Sequence, residues 1–288
     1  MKSSSPFIEP EQLFANLENK EFVIIDCRFD LSDPDWGYAD FQSSHIPNAI
    51  YADLNKDLSS PITEFTGRHP LPEPVKFIEK CSNWGINENK FVVVYDTTSG
   101  SFAARLWWLL RLYGHANVSI LNGGFTAWVS AGFPQTNHIS HNHPSTFTGK
   151  PDHSMTVSSK QMESILTRDN FSIIDARSPE RYHGILEPID AVAGRIPGSI
   201  NFFHQNNIAP TGKLLSKSEL FTAYQSLLEN KLTSTKILYC GSGVTSCLNV
   251  AVLEYLEIPD VKLYAGSWSE WIRNSNHPII DDSKPNNI

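Results

Sequence analysis

The sequence is short of the residues that mark disulfide-linked or metal-binding proteins. It has only four cysteines and three methionines among 288 residues. Four cysteines in a chain of this length do not form a disulfide framework, and the spacing of Cys240 and Cys247 fits neither a redox pair nor a metal-ligand pair. We therefore expect the thiols to be reduced.

The sequence also lacks long apolar runs and an excess of positive charge. No apolar segment approaches the roughly 18 residues that span a bilayer, and the first residues contain no apolar core of a secretion signal. Lys and Arg total 23 against 31 Asp and Glu, for a formal net charge of −8. This balance argues against nucleic acid or an anionic membrane surface as a partner. A cytoplasmic location is the expectation that follows.

What the sequence does contain is an internal repeat with a period of about 145 residues, which is too long for a solenoid and indicates a duplicated domain. The 288 residues and the hydrophobic content of 40% suit two domains, each with its own core. The paired segments are VIIDCR (Val23–Arg28) with SIIDAR (Ser172–Arg177), HIPNAI (His45–Ile50) with RIPGSI (Arg195–Ile200), VVVYD (Val92–Asp96) with KILYC (Lys236–Cys240), and LNGGFTAW (Leu121–Trp128) with YAGSWSEW (Tyr264–Trp271).

Each half alternates short β-branched runs with helical patterns, as a parallel sheet with crossover helices requires. The predicted fold class is therefore α/β, with two tandem domains, each a central parallel sheet flanked by helices. Strands are predicted at 22–25, 91–95, 118–121 and 236–239, and helices at 101–114 and 244–256. Trp107 and Trp108 lie in the first of these helices, where we interpret them as core residues.

The domain boundaries follow from composition. Residues 1–133 form the predicted first domain, 134–157 a linker rich in His, Pro, Ser, Thr and Asn, and 158–288 the second domain. The linker contains His138, His141 and His143, but no matching cysteine or carboxylate spacing accompanies them. We interpret these histidines as surface residues and predict no metal site.

The most informative segment is YCGSGVTS, Tyr239–Ser246, in which a short apolar strand delivers one cysteine into a glycine-bearing loop that leads into a helix. Inward-pointing backbone amides and the helix N-terminus favour a thiolate over a thiol. In such surroundings a cysteine pKa falls from about 8.5 to roughly 3.5 to 7.5. We interpret Cys240 as a nucleophile. The loop residues predicted to act with it are Gly241, Ser242, Gly243, Val244, Thr245 and Ser246.

Two other kinds of anion-binding loop match this segment poorly. A dinucleotide fingerprint needs a third glycine where the chain has Ser246. A tyrosine-phosphatase loop needs a histidine and an arginine at the positions of Tyr239 and Ser246, and without that arginine a phosphate dianion has no bidentate partner. The remaining cysteines have no comparable neighbours and are predicted to be core residues: Cys27, Cys81 and Cys247.

Over roughly residues 8 to 280 the chain resembles the two-domain sulfurtransferases of the rhodanese and 3-mercaptopyruvate sulfurtransferase family. The matching elements are the DCR and DAR strand ends, the two xIPxxI segments, SFAARLWWLLRLYG, LNGGFTAW, CGSGVT and YAGSWSEW. The resemblance implies two α/β domains of one fold, with catalysis only in the C-terminal one. The repeat places Cys240 opposite Asp96, and an aspartate there is similar to the family's inactive domain. We expect that half to shape or cover the site.

The resemblance implies ping-pong transfer of a sulfane sulfur through a persulfide on Cys240. The donor would be a small anion, 3-mercaptopyruvate or alternatively thiosulfate, and the acceptor a thiol, cyanide or a thioredoxin-like protein. No metal or organic cofactor is needed. The loop amides would hold the persulfide anion, with one more hydrogen bond from the Thr245 hydroxyl. The two-domain frame leads us to expect a monomer. Two other functions stay open: a rhodanese-fold module that only holds an anion, and a persulfide carrier for a dedicated protein acceptor.

The choice of donor depends on charged residues near the loop. Gly241 and Ser242 are uncharged and resemble the mercaptopyruvate type, since relatives that prefer thiosulfate have basic residues after the cysteine. Arg181, in ERYHG, is the arginine best matched to binding the carboxylate of a keto acid, because a guanidinium donates two parallel hydrogen bonds.

The resemblance also implies a second substrate arginine and a proton relay. The second arginine is missing, because the chain has Ile189 and Asp190 after Glu187-Pro188, and Arg195 or Arg68 is the predicted replacement. The relay would join a loop serine, a histidine of the first domain and an aspartate before it. The residues that match by motif are Ser242 and His45, with Asp33 or Asp35 as the acid.

Overall fold

The computed structural model describes residues 5–97, 99–166, 168–228 and 234–284, which fold as two compact units. The first unit comprises the chain up to Ser60, Leu71–Asp152 and Ile208–Leu214; the second comprises Pro61–Pro70, His153–Asn207 and the chain from Leu215 onward. Two short segments therefore belong to the unit other than the one that surrounds them in sequence. The internal repeat gives no sign of this exchange.

The first unit contains a five-stranded sheet in which neighbouring strands are parallel, in the order β1-β5-β4-β2-β3. Its strands are β1 (Phe7–Ile8), β2 (Phe22–Asp26), β3 (Ala49–Tyr51), β4 (Phe91–Tyr95) and β5 (Val118–Leu121). Its helices are α1 (Pro10–Phe14), α2 (Trp36–Ser43), α3 (Pro74–Asn83), α4 (Ala103–Leu112) and α5 (Gly124–Ser130). The valines of β4 are fully buried, as expected for a parallel strand covered on both faces.

The second unit repeats this arrangement with a four-stranded parallel sheet in the order β7-β6-β8-β9. Its strands are β6 (Phe171–Asp175), β7 (Ser199–Asn201), β8 (Thr235–Tyr239) and β9 (Val261–Leu263). Its helices are α6 (Ser159–Ile165), α7 (Pro179–Tyr182), α8 (Lys217–Leu228), α9 (Ser246–Tyr255) and α10 (Ser267–Trp271). The two sheets confirm the predicted α/β class.

The main elements lie where the sequence pattern predicts them. Helix α4 falls inside the predicted span 101–114, and Gly114 follows it with φ 83°. Its Trp107 and Trp108 are each 1% exposed, which confirms their interpretation as core. Helix α9 falls inside the predicted span 244–256. The three cysteines predicted to be core are buried: Cys27, Cys81 and Cys247.

The DCR and DAR motifs form buried ion pairs at the ends of matching strands. Arg28 lies against Asp26 at the end of β2, and Arg177 lies against Asp175 at the end of β6, each with an Nη2 to Oδ2 distance of 2.7 Å. All four side chains are at most 1% exposed. A buried charge is tolerated only when it is paired and hydrogen-bonded, so each motif is needed as a unit.

Much of the segment predicted to link the domains packs on the first unit. Thr136 forms an antiparallel bridge with His45, Phe147 is 6% exposed, and the amide of Asp152 donates to the Leu112 carbonyl at 2.7 Å. The histidines of this segment are exposed, as predicted: His138, His141 and His143. Across the described residues, no helix combines the length and apolarity that a membrane crossing requires.

Candidate active site

The candidate site is built on the loop between β8 and α9 in the second unit. Strand β8 ends at Tyr239, so Cys240 is the first residue of the loop, and α9 begins at Ser246. Gly243 adopts φ 72°, and a Cβ there would overlap the carbonyl oxygen of Ala265. Only glycine has both the free φ and the absent side chain that this close approach requires. The glycine therefore lets the loop curl tightly over Cys240.

The sulfur of Cys240 is almost fully buried and surrounded by hydrogen-bond donors. The Ser246 hydroxyl donates to Sγ at 3.4 Å. Burial raises the pKa of the Cys240 thiol, but hydrogen bonds from the hydroxyls of Ser246 and Thr245 and from the amides of Ser246 and Ser242 outweigh it, so that the pKa lies below its ordinary value. Hydrogen bonds to the charged form are a recognised cause of such a shift. The arrangement favours a thiolate, as the sequence predicts.

Helix α10 fixes the backbone of the loop from the other side. The amide of Cys240 donates to the Ser267 hydroxyl at 3.1 Å, and that hydroxyl donates to the Tyr264 carbonyl at 2.9 Å. The amides of Trp268 and Ser269 donate to the carbonyls of Cys240 and Gly241 at 3.0 and 2.9 Å. Ser267 is fully buried and adopts φ 56°, a conformation that is costly for a residue with a side chain. Its hydroxyl is thus placed at the cost of local strain.

Two guanidinium groups lie directly beside the loop. A Cβ added to Gly241 would be 2.6 Å from Nη2 of Arg68, 3.4 Å from Nη2 of Arg181 and 3.5 Å from Nη1 of Arg181. Arg68 reaches the loop because Pro61–Pro70 belongs to the second unit, where its amide also donates to the Ser269 hydroxyl at 3.0 Å. Of the two replacements predicted for the missing second arginine, Arg68 is the one whose guanidinium lies beside Gly241.

Carboxylates hold these arginines in place. Nε of Arg181 donates to both carboxylate oxygens of Glu187 at 3.0 Å, and its Nη2 lies 2.9 Å from Oδ2 of Asp190. The other oxygen of Asp190 is paired with Nη1 of Arg68. Glu187 also lies 3.4 Å from Nη1 of Arg177, which connects the group to the strand-end pair of β6. The result is a continuous ladder of alternating charge.

Arg195 takes part in a different cluster of the second unit. Its guanidinium makes two hydrogen bonds to Asp282, at 2.6 and 2.9 Å, and its Cζ lies 4.5 Å from the centre of the Tyr182 ring. His183 shares the same carboxylate at 2.6 Å. These contacts place the Arg195 guanidinium against Asp282 and Tyr182, and substrate binding by Arg195 stays a prediction.

The histidine that contacts Ser242 is His69, and the predicted pairing with His45 must be corrected. Nδ1 of His69 lies 2.7 Å from the Ser242 hydroxyl, and both side chains are buried. The ring nitrogens of His45 instead face the backbone carbonyl oxygens of Phe41 and His138, at 2.6 and 3.1 Å.

The acids predicted to complete the relay with His45 lie in the same unit as that histidine. Asp33 and Asp35 are exposed residues of the first unit that precede α2. A role for Asp33 or Asp35 in a proton relay stays a prediction.

Sequence reasoning missed His69 although it directly follows Arg68 in GRHPLP. The usable signal was the motif itself, a histidine beside a predicted substrate arginine. It also missed Ser267, whose role depends on a positive φ that no local pattern announces. No group of three or more histidine, cysteine or acidic side chains suited to a metal ion occurs among the described residues.

Comparison with known proteins places the chain in a family. The sequence pattern of the rhodanese-like domain matches residues 9–131 and 158–274. A protein of Pseudomonas aeruginosa, described as a "probable 3-mercaptopyruvate sulfurtransferase", is 40% identical over 96% of this chain and 98% of its own length. The thiosulfate sulfurtransferase of Rattus norvegicus is 36% identical over 82% of this chain and 80% of its own length.

Solved structures agree with the sequence comparisons. The 3-mercaptopyruvate sulfurtransferase from Leishmania major superposes with a TM-score of 0.81 and 31% identity, covering 92% of this chain and 73% of that one. SseA from Escherichia coli, a 3-mercaptopyruvate sulfotransferase, superposes with a TM-score of 0.81 and 28% identity, covering 92% of this chain and all of that one. With two copies of the domain, matching parallel sheets and a cysteine loop in the second copy, this chain belongs to the rhodanese family.

Proposed function

We propose that this chain is a sulfurtransferase in which Cys240 receives a sulfur atom from 3-mercaptopyruvate and passes it on as a persulfide. The observation that supports this most directly is the position of the Cys240 sulfur, which accepts hydrogen bonds from loop hydroxyls and amides while two guanidinium groups lie beside the next residue. An activated thiolate next to a carboxylate-binding pair is what attack on an anionic sulfur donor requires.

The first half-reaction balances without a cofactor. The thiolate of Cys240 attacks the donor sulfur, the carbon–sulfur bond breaks, and its electron pair remains on the departing pyruvate enolate. The proton of the donor thiol is transferred to that enolate, which becomes pyruvate. Arg181 and Arg68 would hold the carboxylate throughout, and the loop amides would stabilise the persulfide anion on Cys240. In the second half-reaction a thiol, cyanide or a thioredoxin-like acceptor takes the outer sulfur and restores the thiolate.

The contact between His69 and Ser242 favours 3-mercaptopyruvate as the donor. A proton must leave the sulfur of this donor and reach carbon. A histidine and a hydroxyl 2.7 Å apart beside the loop are suited to transfer that proton. Cleavage of thiosulfate releases sulfite and needs no proton transfer. We therefore propose that Ser242 and His69 move the proton, and that the uncharged loop is suited to a keto acid.

Thiosulfate is the second candidate donor. The rat relative that matches over most of the chain is a thiosulfate sulfurtransferase, and the two guanidinium groups are able to bind a sulfonate-like end as well as a carboxylate. With this donor, Cys240 attacks the outer sulfur and sulfite leaves with the electron pair of the sulfur–sulfur bond.

The test is to load the purified chain with 3-mercaptopyruvate or thiosulfate, remove the donor and determine the intact mass. We expect the wild type to gain one sulfur atom, faster from 3-mercaptopyruvate. The matched controls are Cys240→Ser, expected to gain none, and Cys247→Ser, expected to behave as the wild type because Cys247 donates to the Gly243 carbonyl. Loading of the Cys240→Ser variant, or no loading from either donor, would overturn the proposal.

A further inference from the structure

Asp190 is an unusual residue for an anion-binding site. Its carboxylate lies between the two guanidinium groups beside Gly241, with one oxygen paired with Arg68 and the other 2.9 Å from Nη2 of Arg181. The side chain is only 4% exposed. A buried negative charge next to the place where an anionic donor would bind works against binding, and such a residue needs a reason.

Orientation of Arg181 does not provide that reason. Glu187 already holds the Nε side of this guanidinium through both carboxylate oxygens at 3.0 Å. Glu187 also accepts the amides of Ile189 and Asp190, at 3.1 and 3.0 Å, so the turn is built around Glu187. Asp190 lies in that turn, and its carboxylate faces the guanidinium of Arg68.

The charges of the ladder are balanced. Three arginines alternate with three carboxylates: Arg177, Arg181 and Arg68 with Asp175, Glu187 and Asp190. With Asp190 charged, the group presents hydrogen-bond donors without an excess of positive charge. Without that charge, the same donors would have a net charge of one positive unit.

We infer that Asp190 selects the sulfur donor by its charge, so that the site favours a singly charged keto acid over a doubly charged anion. This inference rests on the proposed function. The carboxylate of a keto acid matches the edge of a guanidinium group, so its shape lets it take over some of the hydrogen bonds that the arginines donate to Asp190. A dianion brings its second charge close to Asp190, and in partly buried surroundings two like charges about 5 Å apart repel by several times RT. Asp190 thus acts on the donor through its charge and takes no part in the bond-breaking steps.

The test is Asp190→Asn, which removes the charge and keeps the shape. We expect the ratio of kcat/KM for thiosulfate to kcat/KM for 3-mercaptopyruvate to rise at least about tenfold. The change should appear in KM, because the repulsion acts on binding. The matched control is Asp40→Asn in the first unit, another aspartate paired with a buried arginine, Arg28, and it should leave the ratio unchanged. An unchanged ratio in Asp190→Asn would overturn the inference.

A second variant separates the effect of the Asp190 charge from a structural effect of the substitution. In Arg68→Gln/Asp190→Asn the ladder loses one charge of each sign, so its balance is restored. We expect the donor ratio to return toward the wild-type value, whereas a purely structural role for Asp190 would leave the ratio altered. If Asp190→Asn alone is too unstable to purify, the double variant is compared with Arg68→Gln. The double variant should then have the higher ratio of kcat/KM for thiosulfate to that for 3-mercaptopyruvate, and equal ratios would overturn the inference.

Binding without turnover distinguishes a failure of this inference from a failure of the proposed function. Calorimetric titration with pyruvate and with inorganic sulfate measures affinity for a monoanion and a dianion. We expect Asp190→Asn to strengthen sulfate binding about tenfold more than pyruvate binding. If neither donor loads Cys240 but this shift occurs, the sulfurtransferase proposal fails and the charge selection stands. If sulfur is loaded and no shift occurs, the reverse holds.

Discussion

The loops that follow β4 and β8 are two versions of one frame, and they differ in the group at the end of the strand. In the first unit Asp96 follows β4, and its carboxylate accepts the amides of Gly100, Phe102 and Ala103 at 2.9, 2.8 and 3.3 Å. In the second unit Cys240 follows β8, and its sulfur accepts the amides of Ser242 and Ser246. The frame collects backbone donors around a negative charge in both units.

The comparison teaches that the frame stabilises an anion and that the strand-end residue decides its use. A carboxylate fills the amide cradle permanently and has no reason to react. A thiolate fills it as well, but a thiolate is a strong nucleophile, and under the proposed function its persulfide would use the same donors. We therefore interpret the loop after β4 as a structural relative of the Cys240 loop, without a reactive group.

A second difference concerns the first residue of α5 and of α10, the helices that follow β5 and β9. Gly124 and Ser267 occupy matching positions of the repeat and have nearly the same backbone, with φ 57° and 56°. Glycine adopts this conformation freely, whereas serine does not. Only the serine supplies a hydroxyl, and that hydroxyl accepts the amide of Cys240 at 3.1 Å. The strained residue occurs in the unit that contains Cys240.

The largest expected effect concerns the two strand-end residues, each substituted by serine in a separate variant. Cys240→Ser should lower sulfur transfer at least about a thousandfold, because no thiolate remains to attack. Asp96→Ser should leave transfer by the folded protein unchanged. Steady-state kinetics with 3-mercaptopyruvate checks both. A comparable loss of kcat in folded Asp96→Ser would show that the first loop takes part in the reaction.

The arginines should come next. Arg181→Ala and Arg68→Ala should each raise KM for 3-mercaptopyruvate about 10- to 100-fold, since a charge-assisted hydrogen bond contributes about 1.5 to 3 kcal/mol. Arg273→Ala, an exposed arginine of the second unit, is the control. Initial rates over a range of donor concentrations give both constants. If KM stays constant in either variant, that arginine does not bind the donor.

Asp96→Ala should reduce stability. The amides of Gly100, Phe102 and Ala103 lose their acceptor, and unsatisfied buried donors cost about 1 to 3 kcal/mol. Urea unfolding followed by tryptophan fluorescence measures the loss. Asp96→Asn keeps one acceptor oxygen and should lose less. Equal stability of Asp96→Ala and the wild type would mean that the cradle in the first unit needs no anion.

Ser246→Ala should raise the pKa of Cys240, because a hydrogen bond that lowers it is removed. The thiolate is present above the pKa and is lost as the pH falls through it, so the variant should lose its thiolate at a higher pH than the wild type. Ultraviolet absorbance of the thiolate, titrated against Cys240→Ser as a blank, measures the shift. Identical titration curves would exclude the Ser246 hydroxyl as a cause.

The smallest effect is expected at Ser267. Ser267→Gly should relieve the strained φ but remove the acceptor of the Cys240 amide, so that stability changes little while kcat falls about two- to tenfold. Ser267→Ala keeps the strain, loses the acceptor and should be worse in both respects. Thermal unfolding and kcat, measured together, separate the two contributions. A fully active Ser267→Gly would show that the hydroxyl has no part in holding the loop.

Most of the fold was predictable because its signals are local. The β-branched strands, helix α4 and its terminating Gly114, and the buried Trp107 and Trp108 all follow from residue type and periodicity. The cysteine loop was predictable for the same reason, since strand, glycines and helix are adjacent in sequence. Residues 134–152 were less predictable, because a polar, aperiodic segment packs on the first unit through Phe147 and scattered backbone hydrogen bonds.

The sequence by itself determined the two α/β repeats, the cysteine at the end of one strand and the aspartate at the end of its counterpart, because each of these depends on neighbours a few residues away. Only the tertiary structure decided which distant groups reach the loop. It assigned Pro61–Pro70 to the second unit, which put Arg68 and His69 beside Gly241 and Ser242, and it set Asp190 between two arginines. The contacts of Arg68 with Asp190 and of His69 with Ser242 join residues more than a hundred positions apart in the chain. Packing selects them, because a buried polar or charged group is stable only where a partner meets it, and here the partner comes from a distant segment.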